Sequence, residues 1–122
     1  LDRTHEALAA LENSTALAPE RAEGWLLKAT LLRRLERMAE AQSAIESAAT
    51  LAPTNPEIAL EAGVIAVLAG RDDAARKSWQ SVLALAPDSP SAVTASDYLA
   101  QIGPAGETAP APEPAPQETP QP

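Results

Sequence analysis

The chain has 122 residues, enough for one small domain and too few for a two-domain enzyme. A formal charge of −8 excludes the clustered Lys and Arg that phosphate-backbone binding needs, so nucleic acid is not an expected partner. The absence of cysteine excludes disulfides, thiol catalysis and Cys-ligated metals, and leaves the redox compartment open. Ala and Leu dominate, Phe is absent, and the aromatics are Trp25, Trp79 and Tyr98, a palette that favours helices over strands. The apolar run Val64 to Ala69 is far too short for a membrane span, so no insertion is expected within this segment.

In chain order, residues 1–21 read as one helix ending in Leu17, Ala18 and Pro19. Leu8 and Leu11 are expected to leave an apolar strip uncovered on it. A helix pair follows. Trp25, Ala29, Leu32 and Leu35 mark the buried face of its first member, and Met38, Ala41, Ile45 and Ala48 that of its second. Glu36 and Arg37 form the turn between them, where Gly or Asn would fit more easily, so strain is expected there. The next pair opens with Asn55 as N-cap and Pro56 in the first turn, and its first member ends at Gly70, suited to a left-handed C-terminal position. Asp72 is expected to cap the following helix, which buries Ala75, Trp79 and Val82. Ser89 and Pro90 repeat the Asn55 and Pro56 device, and a last helix runs to about Ile102 before Gly103 and Pro104 stop it.

Leu-Ala-Pro recurs at the end of every second helix, with Pro19, Pro53 and Pro87 spaced 34 residues apart. Each proline blocks continuation of the helix before it, so the chain must turn and begin a new pair. Residues 103–122 differ in kind: seven prolines and three glutamates, with no basic residue. That composition cannot offset its ordering entropy by burial and reads as a disordered Pro/Ala/Glu-rich tail. Its prolines never stand three apart, so no PxxP ligand is present and a solvated spacer is expected.

The 34-residue helix-turn-helix period, with Trp, small residues, a large apolar residue and a terminal Pro at set offsets, resembles the tetratricopeptide repeat. Residues 22–55 carry Trp25, Leu32, Ala41, Ile45, Ala48 and Pro53, with Ala29 where the family often has Gly; Lys28 departs from a usual Leu. Residues 56–89 carry Gly63, Ala75, Trp79, Val82 and Pro87, with Ala59 in place of the first large aromatic. Residues 1–21 are similar to the second half of an incomplete repeat, and residues 90–102 to a capping helix. The resemblance implies an all-α solenoid of antiparallel helix pairs. Ala29 against Ala41 and Gly63 against Ala75 would allow close approach, with Trp25, Ile45 and Trp79 filling the space between pairs.

Catalytic chemistry has little foothold. His5 is the single histidine and reads as a surface residue; Asp72 and Asp73 read as a helix start; phosphate-loop and nucleophile motifs are absent. No enzyme activity, metal or cofactor is expected. In the resembled family, the first helix of each pair lines a concave groove that binds peptides or helices. Its offsets place Glu23, Leu26, Leu27, Thr30, Arg33 and Arg34 in the groove from the first repeat. The second contributes Glu57, Leu60, Glu61, Val64, Val67 and Leu68, and the capping helix Thr94 and Tyr98. Leu26 and Thr30 stand where carboxylate-clamping members carry Lys and Asn, which disfavours that clamp.

The expected function is a protein-interaction scaffold. The alternative is an accessory repeat region of a larger enzyme or envelope assembly factor, such as a cytochrome c maturation factor, to which residues 61–83 bear a weak likeness. The half repeat at the start implies a missing partner helix, as in a fragment or processed form of a longer array; the alternative is that this edge dimerises. An Arg-over-Lys bias in an Ala-rich chain points to a bacterial source; the compartment is not read from the residues, and bacterial cytoplasm or periplasm, with a lean to the envelope, is the expectation.

Overall fold

A computed structural model describes residues 2–103. It holds six helices: α1 (Asp2–Leu17), α2 (Ala22–Arg34), α3 (Met38–Leu51), α4 (Pro56–Leu68), α5 (Asp72–Leu85) and α6 (Pro90–Ile102). Among the described residues there is no strand, so the all-α solenoid predicted from the sequence is the observed architecture. The expectation of a disordered tail falls on residues outside those described.

The recurring Leu-Ala-Pro has a hydrogen-bonded explanation. The amide three residues beyond each Ala donates back to that Ala's carbonyl: Arg21 to Ala18 at 3.1 Å, Asn55 to Ala52 at 3.2 Å and Ser89 to Ala86 at 3.1 Å. Each proline therefore occupies the second position of a β-turn, where its fixed φ is already correct. The donor residue is in each case the N-cap of the next helix. Asn55 Oδ1 accepts from the amides of Glu57 at 2.8 Å and Ile58 at 3.4 Å, and Ser89 Oγ from Ala92 at 3.1 Å. Asn55→Ala should lower stability by about 1 kcal/mol in a denaturant melt. Asp72 does not cap α5. Arg71 holds the N-cap position without a side-chain bond, and Asp72 is the first helical residue, where its charge still favours the helix start.

The turns inside each pair are alike in backbone and unlike in residue. After α2, Arg37 donates to Leu32 O at 2.9 Å and Glu36 to Arg33 O at 2.9 Å; after α4, Arg71 donates to Ala66 O at 2.8 Å and Gly70 to Val67 O at 3.1 Å. Both sets close a Schellman motif that needs a left-handed residue. Gly70 supplies it at φ 80°, while Glu36 is forced to φ 63°. The strain expected at this turn is thus located in Glu36. Glu36→Gly should raise stability by about 1 kcal/mol, the cost of a side chain in that region, measured by the midpoint shift in urea; a fall would contradict the assignment.

Two core clusters follow one another along the solenoid. The first joins Leu8, Ala29, Leu32, Ala41, Ile45, Ala48, Ile58 and Ile65. The second joins Ala66, Ala75, Trp79, Val82, Ala92 and Ala95. The expected apolar strip on α1 is corrected here. Leu8 is 4% exposed, because its side of α1 packs on α2, while Leu11 is half-buried and Leu17 is 77% exposed. A Cβ placed on Gly63 would meet the Trp79 indole. Trp25, expected as filler, is only half-buried; its Nε1 donates to Pro19 O at 2.9 Å and Lys28 Nζ lies 5.1 Å from the ring centre.

Each helix packs on its chain neighbours, and further contacts join α2 to α4 and α4 to α6. None joins α1 to α3 or α3 to α5. The even-numbered helices therefore form the inner side of the bend and the odd-numbered ones splay along the outside. Arg76 of α5 holds the last helix to this frame: its Nε donates to Gly103 O at 3.2 Å and its Nη1 to Asp73 Oδ1 at 2.5 Å.

Candidate functional site

The inner side is built by α2, α4 and α6, and every expected groove residue lies on one of them. Their side chains differ in how far they are free. Glu23 and Arg34 on α2 and Glu57 on α4 are exposed. Leu27 and Leu68 are exposed apolar residues at 51% and 59%. Leu26, Thr30, Leu60, Val64, Val67, Thr94 and Tyr98 are half-buried.

Burial of the half-buried group has identifiable partners. Leu26 packs against the first core cluster, and Leu60, Val64, Val67 and Tyr98 against the second. The Tyr98 ring lies 5.0 Å from that of Trp79 at an interplanar angle of 47°, a tilted aromatic contact. Trp79 Nε1 in turn donates to Leu60 O at 3.1 Å. Leu60 and Tyr98 are thus fixed from behind by a single indole, which holds α4 and α6 at a set distance.

Arg33 and Glu61 are brought together across α2 and α4. Arg33 Nε donates to Glu61 Oε2, and Nη2 to Oε1 at 3.2 Å. The hydrogen bond to Glu61 holds the Arg33 guanidinium above its ordinary pKa, against the desolvation of its partly covered position, with the charge of Glu61 adding to the rise. This pairing was not legible from chain spacing, since 28 residues separate the two and no helical period links them. Only the rotation of α2 against α4 sets it.

One recess, about 540 Å³, lies at the edge of this face between two turns, lined by Ala52, Thr54, Asn55, Pro56, Glu57, Ser89, Pro90 and Ser91. Of the expected site residues it includes only Glu57. A second recess of about 140 Å³ is formed by Trp25, Lys28, Leu32, Glu40, Ser43 and Ala44. Among the described residues no three His, Cys, Asp or Glu side chains come together as a metal site, and no helix is long and apolar enough to cross a membrane. His5 is exposed on α1.

Similarity to known proteins agrees with this architecture. The crystal structure of MamA superposes with a TM-score of 0.66 at 17% identity, covering 69% of this chain and 49% of that one. The Arabidopsis OM64 TPR domain gives 0.71 at 18% identity, with 79% of each chain covered. YrrB, described as a TPR protein with an unusual peptide-binding site, gives 0.71 at 20% identity, covering 80% of this chain and 50% of that one. The chain thus spans about half the length of MamA and of YrrB. No curated protein sequence matches it. The sequence profile described as Tetratricopeptide repeat matches residues 1–56 and 29–90, and with that period, these turns and this packing the chain belongs to the tetratricopeptide repeat family.

Proposed function

We propose that this chain is a protein-interaction module that binds a peptide or helix of a partner protein along α2, α4 and α6, and carries out no chemistry of its own. The observation that carries the reading is the exposure of Leu27 and Leu68, large apolar side chains left uncovered on the inner helices. Isolated surface leucines are ordinary, but these flank the half-buried Leu26, Leu60, Val64 and Val67 on the same face. Glu23, Glu57 and Arg34 form charged edges to this floor, and Thr30, Thr94 and Tyr98 supply polar groups within it. YrrB, which shares the fold, is described as peptide-binding.

The test is capture from a lysate of the source organism by the unmodified chain and by a Leu27→Arg, Leu68→Arg variant. Because both residues are exposed, the variant should keep its circular dichroism spectrum and lose at least about 10-fold of the captured partner, roughly 1.4 kcal/mol. Equal capture by the two proteins would remove this face from the account.

The exposed side of α1 favours a second contact. Ala7, Ala10 and Ser14 are exposed, whereas their counterparts Ala41, Ala44 and Ala48 in α3 are buried. This edge is proposed to pair with a second copy. Sedimentation that shows a monomer at every concentration eliminates the dimer.

A further inference from the structure

Arg33 is the half-buried cation of the inner face, beside the exposed Arg34 at its edge, and the structure shows it already engaged. Glu61 meets it with both carboxylate oxygens, one on Nε and one on Nη2. The pair is shielded: 22% of the Arg33 side chain and 11% of the Glu61 side chain remain exposed. Two-pronged pairing of this kind fixes both orientation and partner, and shielding keeps dissolved salt from weakening it as it would an exposed pair.

We propose that Glu61 is the specificity-determining residue of the inner face at this row: by occupying Arg33 it makes the row accept an uncharged, apolar side chain of the partner segment and turn away a carboxylate. The proposal rests on the reading of α2, α4 and α6 as the binding face. A ligand carboxylate reaches Arg33 only by displacing Glu61, which leaves a shielded carboxylate without a partner, and that loss exceeds what the exchange returns. A ligand cation finds Glu61 satisfied and Arg33 beside it, repelling. On the same two helices, the half-buried Leu26, Leu60 and Val64 offer apolar surface. Complementarity then favours side chains that need no counter-charge at this row.

Two probe peptides separate the alternatives, both carrying a neutral dye at the N-terminus: SLVLQQ ending in a carboxamide, and SLVLEE ending in a free carboxylate. Binding is followed by anisotropy at one fixed salt concentration, for the unmodified chain, Glu61→Gln and the double variant Arg33→Gln, Glu61→Gln, each checked for helical content by circular dichroism. The unmodified chain should bind the neutral peptide more tightly. Glu61→Gln should tighten the acidic peptide by about 10-fold or more, and the double variant should lose that gain. If the unmodified chain prefers the acidic peptide, or Glu61→Gln leaves the preference unchanged, or neither peptide binds any of the three proteins, the proposal is overturned. If the unmodified chain binds neither peptide while Glu61→Gln binds the acidic one, Glu61 does mask Arg33, and it is the apolar-binding reading of the face that fails.

Discussion

Replacing Trp79 with Ala is expected to lower the unfolding free energy by about 3–5 kcal/mol, the range for truncating a large buried aromatic. That is a large share of the total for a domain of this size, since native domains hold roughly 0.05–0.15 kcal/mol per residue. Trp79 is 2% exposed and belongs to three helices at once: it sits on α5, fills the space above Gly63 of α4, and touches the Tyr98 ring of α6. Truncation would leave a cavity between α4 and α6 that the neighbouring helices can close only by shifting. Its Nε1 bond to Leu60 O adds a smaller part, because an ordinary hydrogen bond contributes about 1 kcal/mol net. Trp79→Phe, which keeps an aromatic ring and loses the donor, should therefore cost much less than Trp79→Ala. A urea melt in which Trp79→Ala shifts stability by under about 1 kcal/mol would falsify this placement of the indole.

Gly63→Ala is the second large effect, and its sign is decided by two opposing terms. Inside a helix Ala is favoured over Gly by about 1 kcal/mol. Here a methyl at Gly63 would stand 2.5 Å from both Cδ1 and Cε2 of Trp79, with Nε1 closer still. The indole cannot swing aside without breaking its bond to Leu60 O and its contact with Tyr98. Overpacking costs of about 1–3 kcal/mol, and more for rigid neighbours, make a net loss of about 2 kcal/mol the expected outcome. The preceding repeat shows the compensation: Ala29 and Ile45 occupy the positions that Gly63 and Trp79 hold one period later. The double variant Gly63→Ala, Trp79→Ile should accordingly be more stable than the sum of its two single changes predicts, by about 1–3 kcal/mol in a double-mutant cycle. Simple additivity would mean that the glycine does not exist to admit the indole.

Much of the fold was legible because local chemistry and period agree. Asn55 and Ser89 cap, Gly70 turns left-handed, and Glu36 is strained, each as its residue type implies. What escaped was whatever depends on how one pair sits on the next. Leu8 was assigned with Leu11 to an open strip because a half repeat lacks its partner helix; it occupies the register of Gln42 and Arg76, which looks toward the following helix, and so packs on α2. Arg76 is buried at 5% exposure although charge alone argues for the surface, because the end of α6 gives its guanidinium a carbonyl partner in Gly103. Asp72 was taken for a cap on composition, whereas the Schellman turn through Gly70 and Arg71 leaves Arg71 in that position. At the inner face, family register named Arg33 and Glu61 separately, and their pairing emerged only from the packing of α2 on α4.

The central claim is that partners meet the inner helices and not the outer ones. It is tested most directly by placing a photoreactive phenylalanine analogue at one exposed leucine at a time and irradiating in the lysate. Leu27 and Leu68 report on α2 and α4, and Leu51 and Leu85, also exposed, on the ends of α3 and α5. The account predicts the same cross-linked protein from positions 27 and 68, and none from 51 or 85. Cross-links confined to 51 and 85, equal yields at all four positions, or no product at 27 and 68 would contradict it.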